Sequence, residues 1–208
     1  MHISDGILPT TVTVTTYGLT MLGTVLSLRK VKNDDLPKIA VVTSSFFVAS
    51  LIHLPFGPTS VHLLLPGIVG ALLGPASFLS ITLGLFLQSV LFQFGGLTAL
   101  GANAIMMGVP AYLCGLIFRL LRGKTLRSHT VAGAIAGGLG TLMAALILAA
   151  LLYTAGEDFF GVAKLALAAH LPVFFIEAGI TAFTVSFLFR VKPELLNTTF
   201  SRSHDRQP

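Results

Sequence analysis

Residues Val131 to Tyr153 read VAGAIAGGLGTLMAALILAALLY, a run without one Asp, Glu, Lys or Arg. A helix that crosses the hydrocarbon core of a bilayer needs about 20 such residues. The same signature recurs on both sides of it. The sequence predicts seven apolar helices, over Thr11–Leu28, Ile39–His53, Leu63–Leu73, Ala76–Phe92, Ala104–Leu121, Val131–Tyr153 and Ala168–Phe189. The third is short and ends at Gly74-Pro75, so it and the fourth can join as a tight hairpin. Composition points the same way: 54% of the 208 residues are hydrophobic, 10% are charged and the mean hydropathy is +0.88, against about 25% charged residues in soluble domains. The expected fold is an all-α integral membrane protein.

The net charge of +5 is informative through its distribution. Arg29, Lys30, Lys32 and Lys38 form one cluster. Arg119, Arg122, Lys124 and Arg127 form a second, and Arg190, Lys192, Arg202 and Arg206 a third. Each follows an apolar segment, as at cytoplasmic helix ends, and none interleaves with the aromatic residues that stack on bases. Nucleic-acid binding is excluded on that pattern. Threading seven segments alternately brings all three clusters to one side when the amino terminus is outside and the carboxyl terminus is cytoplasmic. Six or eight segments would split them. The same threading puts residues 1–10 and the loops 53–62, 93–103 and 154–163 together on the outer side.

The chain reads as one transmembrane domain, 1–190, with an amino-terminal segment 1–10 of its own character and a polar cytoplasmic tail, 191–208, that is expected to fray. No internal repeat or domain linker interrupts it. Gly70 with Gly74 and Gly133 with Gly137 are spaced for close helix approach. The single Cys114 provides neither a disulfide framework nor a cysteine metal cluster and reads as a packing residue.

The chemistry concentrates at the beginning. No basic n-region or cleavage site marks a signal peptide, so the mature chain is expected to start at Met1. His2 is too bulky to promote removal of that methionine. A histidine at position 2 offers three nitrogens in order: the Met1 amine, the His2 amide and its Nδ1. Together they close a five-membered and a six-membered chelate ring in one plane. A fourth nitrogen would complete the square-planar arrangement favoured by Ni²⁺ and Cu²⁺.

Met1-His2-Ile3-Ser4-Asp5-Gly6, Pro58-Thr59-Ser60-Val61-His62 and the block from Phe92 to Asn103 (FQFGGLTALGAN) together resemble the cobalt/nickel energy-coupling-factor permeases of the CbiM/NikM type. The likeness extends to His170-Leu171-Pro172 and Glu177-Ala178-Gly179-Ile180-Thr181. It implies that the metal is held by the amine of Met1, the amide and imidazole of His2, and the imidazole of His62. It further implies a multi-pass protein of a prokaryotic cytoplasmic (inner) membrane, the substrate-binding component of an ABC-type importer. Its partners would be a transmembrane coupling protein and paired ATPase subunits, commonly with a small accessory membrane protein. Nickel or cobalt is then the transported substrate, with no cofactor, and the chain is not itself an enzyme. Nitrogen ligands accept either ion, and planarity tilts the choice toward nickel.

Around that core, the turn at Gly57-Pro58 lacks the glycine pair usual in the family, and His53 stands where the family usually has another residue. His53 is read as a supporting partner. Asp5, beside Gly6, is read as a turn residue whose charge attracts cations, in preference to a ligand. Asn103 is read as a hydrogen-bonding support beyond the ligands, with Gly95-Gly96 letting backbone approach. His170 and Glu177 are seven residues apart, on one face of the last helix. Ionisable groups at membrane depth need interior partners. For Glu177 a structural hydrogen-bonding role is favoured over a direct part in metal movement. A gradient-driven secondary transporter, with His170 and Glu177 as a proton relay, is the alternative, although such carriers usually carry internal repeats. An intramembrane enzyme fits poorly, because no Gly-x-Ser-x-Gly motif is present.

Overall fold

The computed structural model describes residues 2–51, 53–56 and 59–197, with the backbone alone for 53–56 and 59–61. Helices dominate: α1 Thr10–Leu28, α2 Leu36–Leu51, α3 Pro66–Leu73, α4 Ser77–Phe92, α5 Leu100–Leu121, α6 Leu126–Thr154 and α7 Phe160–Val191. Between α2 and α3 lies an antiparallel hairpin, β1 His53–Phe56 and β2 Thr59–His62, in which His53 pairs with His62. Within the loop expected at 53–62, residues 53–56 and 59–62 pair as two short strands, and the fold is otherwise helical as expected.

Among the described residues five stretches are long and apolar enough to cross a membrane: Thr10–Leu28, Pro66–Phe92, Leu100–Leu121, Leu126–Thr154 and Glu157–Val191. The protein is a multi-pass membrane protein. The second stretch combines α3 and α4, and contacts show that it doubles back. His62, just before α3, and Gln88, near the end of α4, both meet the ring of His2. Midway, Gly74 packs beside Gly115 of α5, where an added Cβ on Gly115 would lie 3.1 Å from the Gly74 Cα. The turn at Gly74–Ala76 is thus the tip of a hairpin within the bundle. At about 1.5 Å per residue the eight residues of α3 advance only about 12 Å.

Two expected boundaries move for a physical reason. α6 begins at Leu126 because Thr125 caps it, its hydroxyl accepting the Ser128 N–H at 3.2 Å. α5 begins at Leu100, so Gly101, Ala102 and Asn103 form its first turn instead of a loop. Glycines permit close packing as their spacing predicted. A Cβ on Gly70 would lie 2.2 Å from the Ala111 carbonyl oxygen, and one on Gly137 2.5 Å from both the Glu177 carbonyl oxygen and Thr181 Oγ1.

Among the described residues the basic clusters gather at one end. Ser27 Oγ, at the end of α1, donates to the Pro75 carbonyl at 2.7 Å, and Lys38 Nζ donates to the Leu195 carbonyl at 2.7 Å. Arg122 donates to the carbonyl of Leu196. Pro193–Leu196 forms a 3-10 turn and Leu196 is buried. The first residues of the tail therefore pack against the bundle; the segment 198–208 lies outside the described residues. Residues 2–6 sit at the opposite end.

Candidate metal site

Residues 2 and 3 enter the bundle without regular secondary structure. Asn103 in the first turn of α5 grips the backbone of Ile3 from both sides: its Oδ1 accepts the Ile3 N–H at 2.8 Å and its Nδ2 donates to the Ile3 carbonyl at 3.0 Å. Ile3 is wholly buried, and His2 is 6% exposed. Gly95 and Gly96 close over this segment at φ +74° and +71°, a region that favours glycine. A Cβ on Gly95 would lie 2.8 Å from Asn103 Nδ2 and 3.0 Å from His2 Cδ2, and one on Gly96 2.0 Å from the Asp5 carboxyl carbon.

Asp5 latches the segment to the loop ahead of α5. Its Oδ1 accepts from Thr98 N–H at 2.8 Å, Thr98 Oγ1 at 2.5 Å and Ala99 N–H at 3.3 Å. Partial burial raises its pKa, but these bonds and one from the Leu97 amide outweigh that and hold the carboxyl below its ordinary value. It is ionised at neutral pH.

The imidazoles of His2 and His62 stack, with centroids 4.8 Å apart. Their partners fix which nitrogen carries hydrogen. Gln88 Nε2 donates to the Phe47 carbonyl at 3.4 Å and to Ser50 Oγ. Its Oε1 is thereby turned toward His2 and accepts from Nε2–H at 2.9 Å. His62 Nδ1–H donates to the Leu63 carbonyl at 2.7 Å. In neutral rings the remaining nitrogens, His2 Nδ1 and His62 Nε2, both carry lone pairs, and they face each other at 3.2 Å. Two acceptors so placed repel unless a cation lies between them. First-row metal–imidazole bonds of about 2.0–2.1 Å put neighbouring ligands of a planar site about 2.9 Å apart and opposite ligands about 4.1 Å apart. The observed 3.2 Å lies nearer the neighbouring than the opposite spacing, and is also the distance of an N–H···N bond formed when one ring gains a proton.

His2 Nδ1 is also the nitrogen that the six-membered chelate ring requires. Met1 lies outside the described residues, as does the side chain of His53, whose backbone pairs with His62. Among the described residues no three His, Cys, Asp or Glu side chains converge as a metal cluster.

Glu177 and His170 are buried on α7. Glu177 Oε1 accepts the amides of Leu64 and Leu65 at 2.5 and 2.9 Å, and His170 Nδ1 donates to the Ala166 carbonyl at 2.6 Å. Their other polar atoms, Glu177 Oε2 and His170 Nε2, have no hydrogen-bond partner among the described residues. Gln88 and Ser50 went unrecognised in the sequence. The available signal was a lone glutamine deep in the apolar run of α4, where an unpaired amide would be unfavourable.

The family model for the cobalt uptake substrate-specific transmembrane region (CbiM) matches residues 2–195. A putative metal transport protein of Haemophilus influenzae is 35% identical over 96% of this chain and 98% of its own. The fused nickel transport protein NikMN of Rhodobacter capsulatus is 37% identical over 52% of this chain, a match that spans 33% of that longer protein. A crystal structure of a transition metal transporter superposes with a TM-score of 0.73 at 26% identity, covering 97% of this chain and 98% of that one.

Proposed function

Because the chain belongs to the family of the cobalt uptake substrate-specific transmembrane region, whose members are cobalt and nickel transport proteins, we propose that it is the metal-capturing component of an energy-coupling-factor importer of Ni²⁺ or Co²⁺. The observation that carries the reading is the pair of lone-pair nitrogens, His2 Nδ1 and His62 Nε2, facing each other at 3.2 Å. The Met1 amine and the deprotonated His2 amide complete four nitrogens in a plane. A strongly binding divalent ion can displace the amide proton, whereas Mg²⁺ and Ca²⁺, which take oxygen ligands, do not. The Gln88–Ser50 chain supports His2 as outer hydrogen bonds support other metal-bound histidines, by fixing the tautomer.

In this reading the chain crosses the cytoplasmic membrane of a prokaryote with seven segments. The amino terminus and claw face outward, and the basic end faces the cytoplasm, in line with the positive-inside rule. Energy comes from ATP hydrolysed by paired partner subunits and relayed by a coupling membrane protein. The fused relative, named as one nickel transport protein and much longer than the matched part, is consistent with a component that works joined to others.

Nickel uptake into cells or proteoliposomes tests the proposal. Uptake is expected only with the ATPase and coupling partners present, and to be lost in His2→Ala and His62→Ala. Uptake by this chain alone, driven by an ion gradient, would favour the secondary-transporter alternative.

A further inference from the structure

The two imidazoles are held from different parts of the bundle. His2 is fixed by Gln88 of α4 and, through Ile3, by Asn103 of α5. His62 stands just ahead of α3, whose first turn is held by α6 and α7. Gly67 rests on α6 so closely that a Cβ on it would lie 2.5 Å from the Gly137 Cα. From α7, the buried Glu177 reaches across and takes the Leu64 and Leu65 amides on one oxygen. Helix starts leave such amides without intrahelical partners and favour a negative charge there. Leu65 adopts φ +51°, in the left-handed region that a leucine rarely occupies. That conformation persists where surrounding bonds over-determine it, and the Glu177 carboxylate is the group that bonds its amide.

We infer that Glu177 is the positioning residue for His62, setting its Nε2 against His2 Nδ1 by holding the two amides that follow it. The inference rests on the proposal that His2 and His62 bind the transported ion. Glu177 acts through the backbone and does not touch the ion. Because metal–ligand distances tolerate only about 0.2 Å, a displacement of α7 against α4 and α5 of the order of an ångström would withdraw His62 and open the site.

Full-length protein purified in detergent, loaded with nickel alone, provides the test. The visible ligand-field spectrum and the nickel dissociation rate are measured for wild type, His62→Ala, Glu177→Ala, Glu177→Asp and Glu177→Gln. Aspartate keeps the charge but falls one methylene short; glutamine keeps an acceptor oxygen at full reach. The expected result is that Glu177→Ala and Glu177→Asp reproduce the spectrum of His62→Ala and release nickel at least tenfold faster than wild type, while Glu177→Gln retains the wild-type spectrum and stays within about threefold in rate. Wild-type behaviour in Glu177→Asp overturns the inference. So does a Glu177→Gln variant as defective as Glu177→Asp, since the acceptor geometry would then not be what matters. If Glu177→Ala does not fold, the other two variants decide. A His62→Ala spectrum identical to wild type would instead remove the metal-site reading beneath it.

Discussion

Replacing Gln88 by leucine, of similar volume, isolates what the outer hydrogen bond contributes. The substitution removes the acceptor of His2 Nε2–H, the donor to Phe47 O and the partner of Ser50 Oγ. A buried donor left without a partner costs about 1–3 kcal/mol. In the variant the ring can relieve that penalty by moving its hydrogen to Nδ1, the nitrogen the metal needs. Binding must then drive it back, so the penalty appears in the affinity. At about 1.4 kcal/mol per factor of ten, the expected loss is about 5- to 150-fold, which brackets the 10- to 100-fold typical of lost support around metal-bound histidines. Competition titration of nickel against a chromophoric chelator measures it, with a thermal unfolding scan to establish that the variant is folded. A folded Gln88→Leu protein that binds nickel within twofold of wild type would refute the tautomer argument.

Two further perturbations follow from the same geometry. Asp5 has a carboxyl pKa lowered below its ordinary 3.8, so the stability it contributes is fully present above that value and is lost as pH falls through the lower, folded pKa. Hydrogen exchange at the Thr98 and Ala99 amides, corrected for intrinsic rates, should show protection independent of pH above about 4, falling several-fold in more acid solution and weak at every pH in Asp5→Ala, which has no acceptor oxygen. Equal protection in that variant contradicts the latch. Gly137→Ala drives a Cβ to within 2.5 Å of the Glu177 carbonyl oxygen and Thr181 Oγ1, and such overpacking costs about 1–3 kcal/mol. The unfolding midpoint in detergent should fall by several degrees, and an unchanged midpoint would show that α6 and α7 are not tightly apposed there.

Much of the helical architecture is legible because apolar runs and their breaks are local. The hairpin at Gly74-Pro75 could be read from its turn residues, and the close approach at Gly70 and Gly137 from spacing. The features that escaped depend on distant partners. Asn103 lies in the first turn of α5, where Ile3, a hundred positions earlier, takes both polar atoms of its side-chain amide. Gln88 matters only because His2 arrives beside it. Leu196 is buried through the docking of Pro193–Leu196 near Lys38 and Arg122, which no periodicity in a polar tail reveals. His2 could be singled out by chelate chemistry alone. His62 could not, and its nomination came from the resemblance; the folded chain then brings it beside the same ring nitrogen of His2 that the chelate uses.

The account stands most directly on nickel titration of the purified protein beginning at Met1, set beside a variant carrying one extra residue ahead of Met1. The extension removes the amine from chelating distance while leaving His2, Gln88, Asn103 and His62 in place. Tight binding is predicted for the first and its loss for the second, with equal thermal stability of the two metal-free proteins. Equal affinity in both would contradict the claim that the chain's own terminus and His2 grip the metal together.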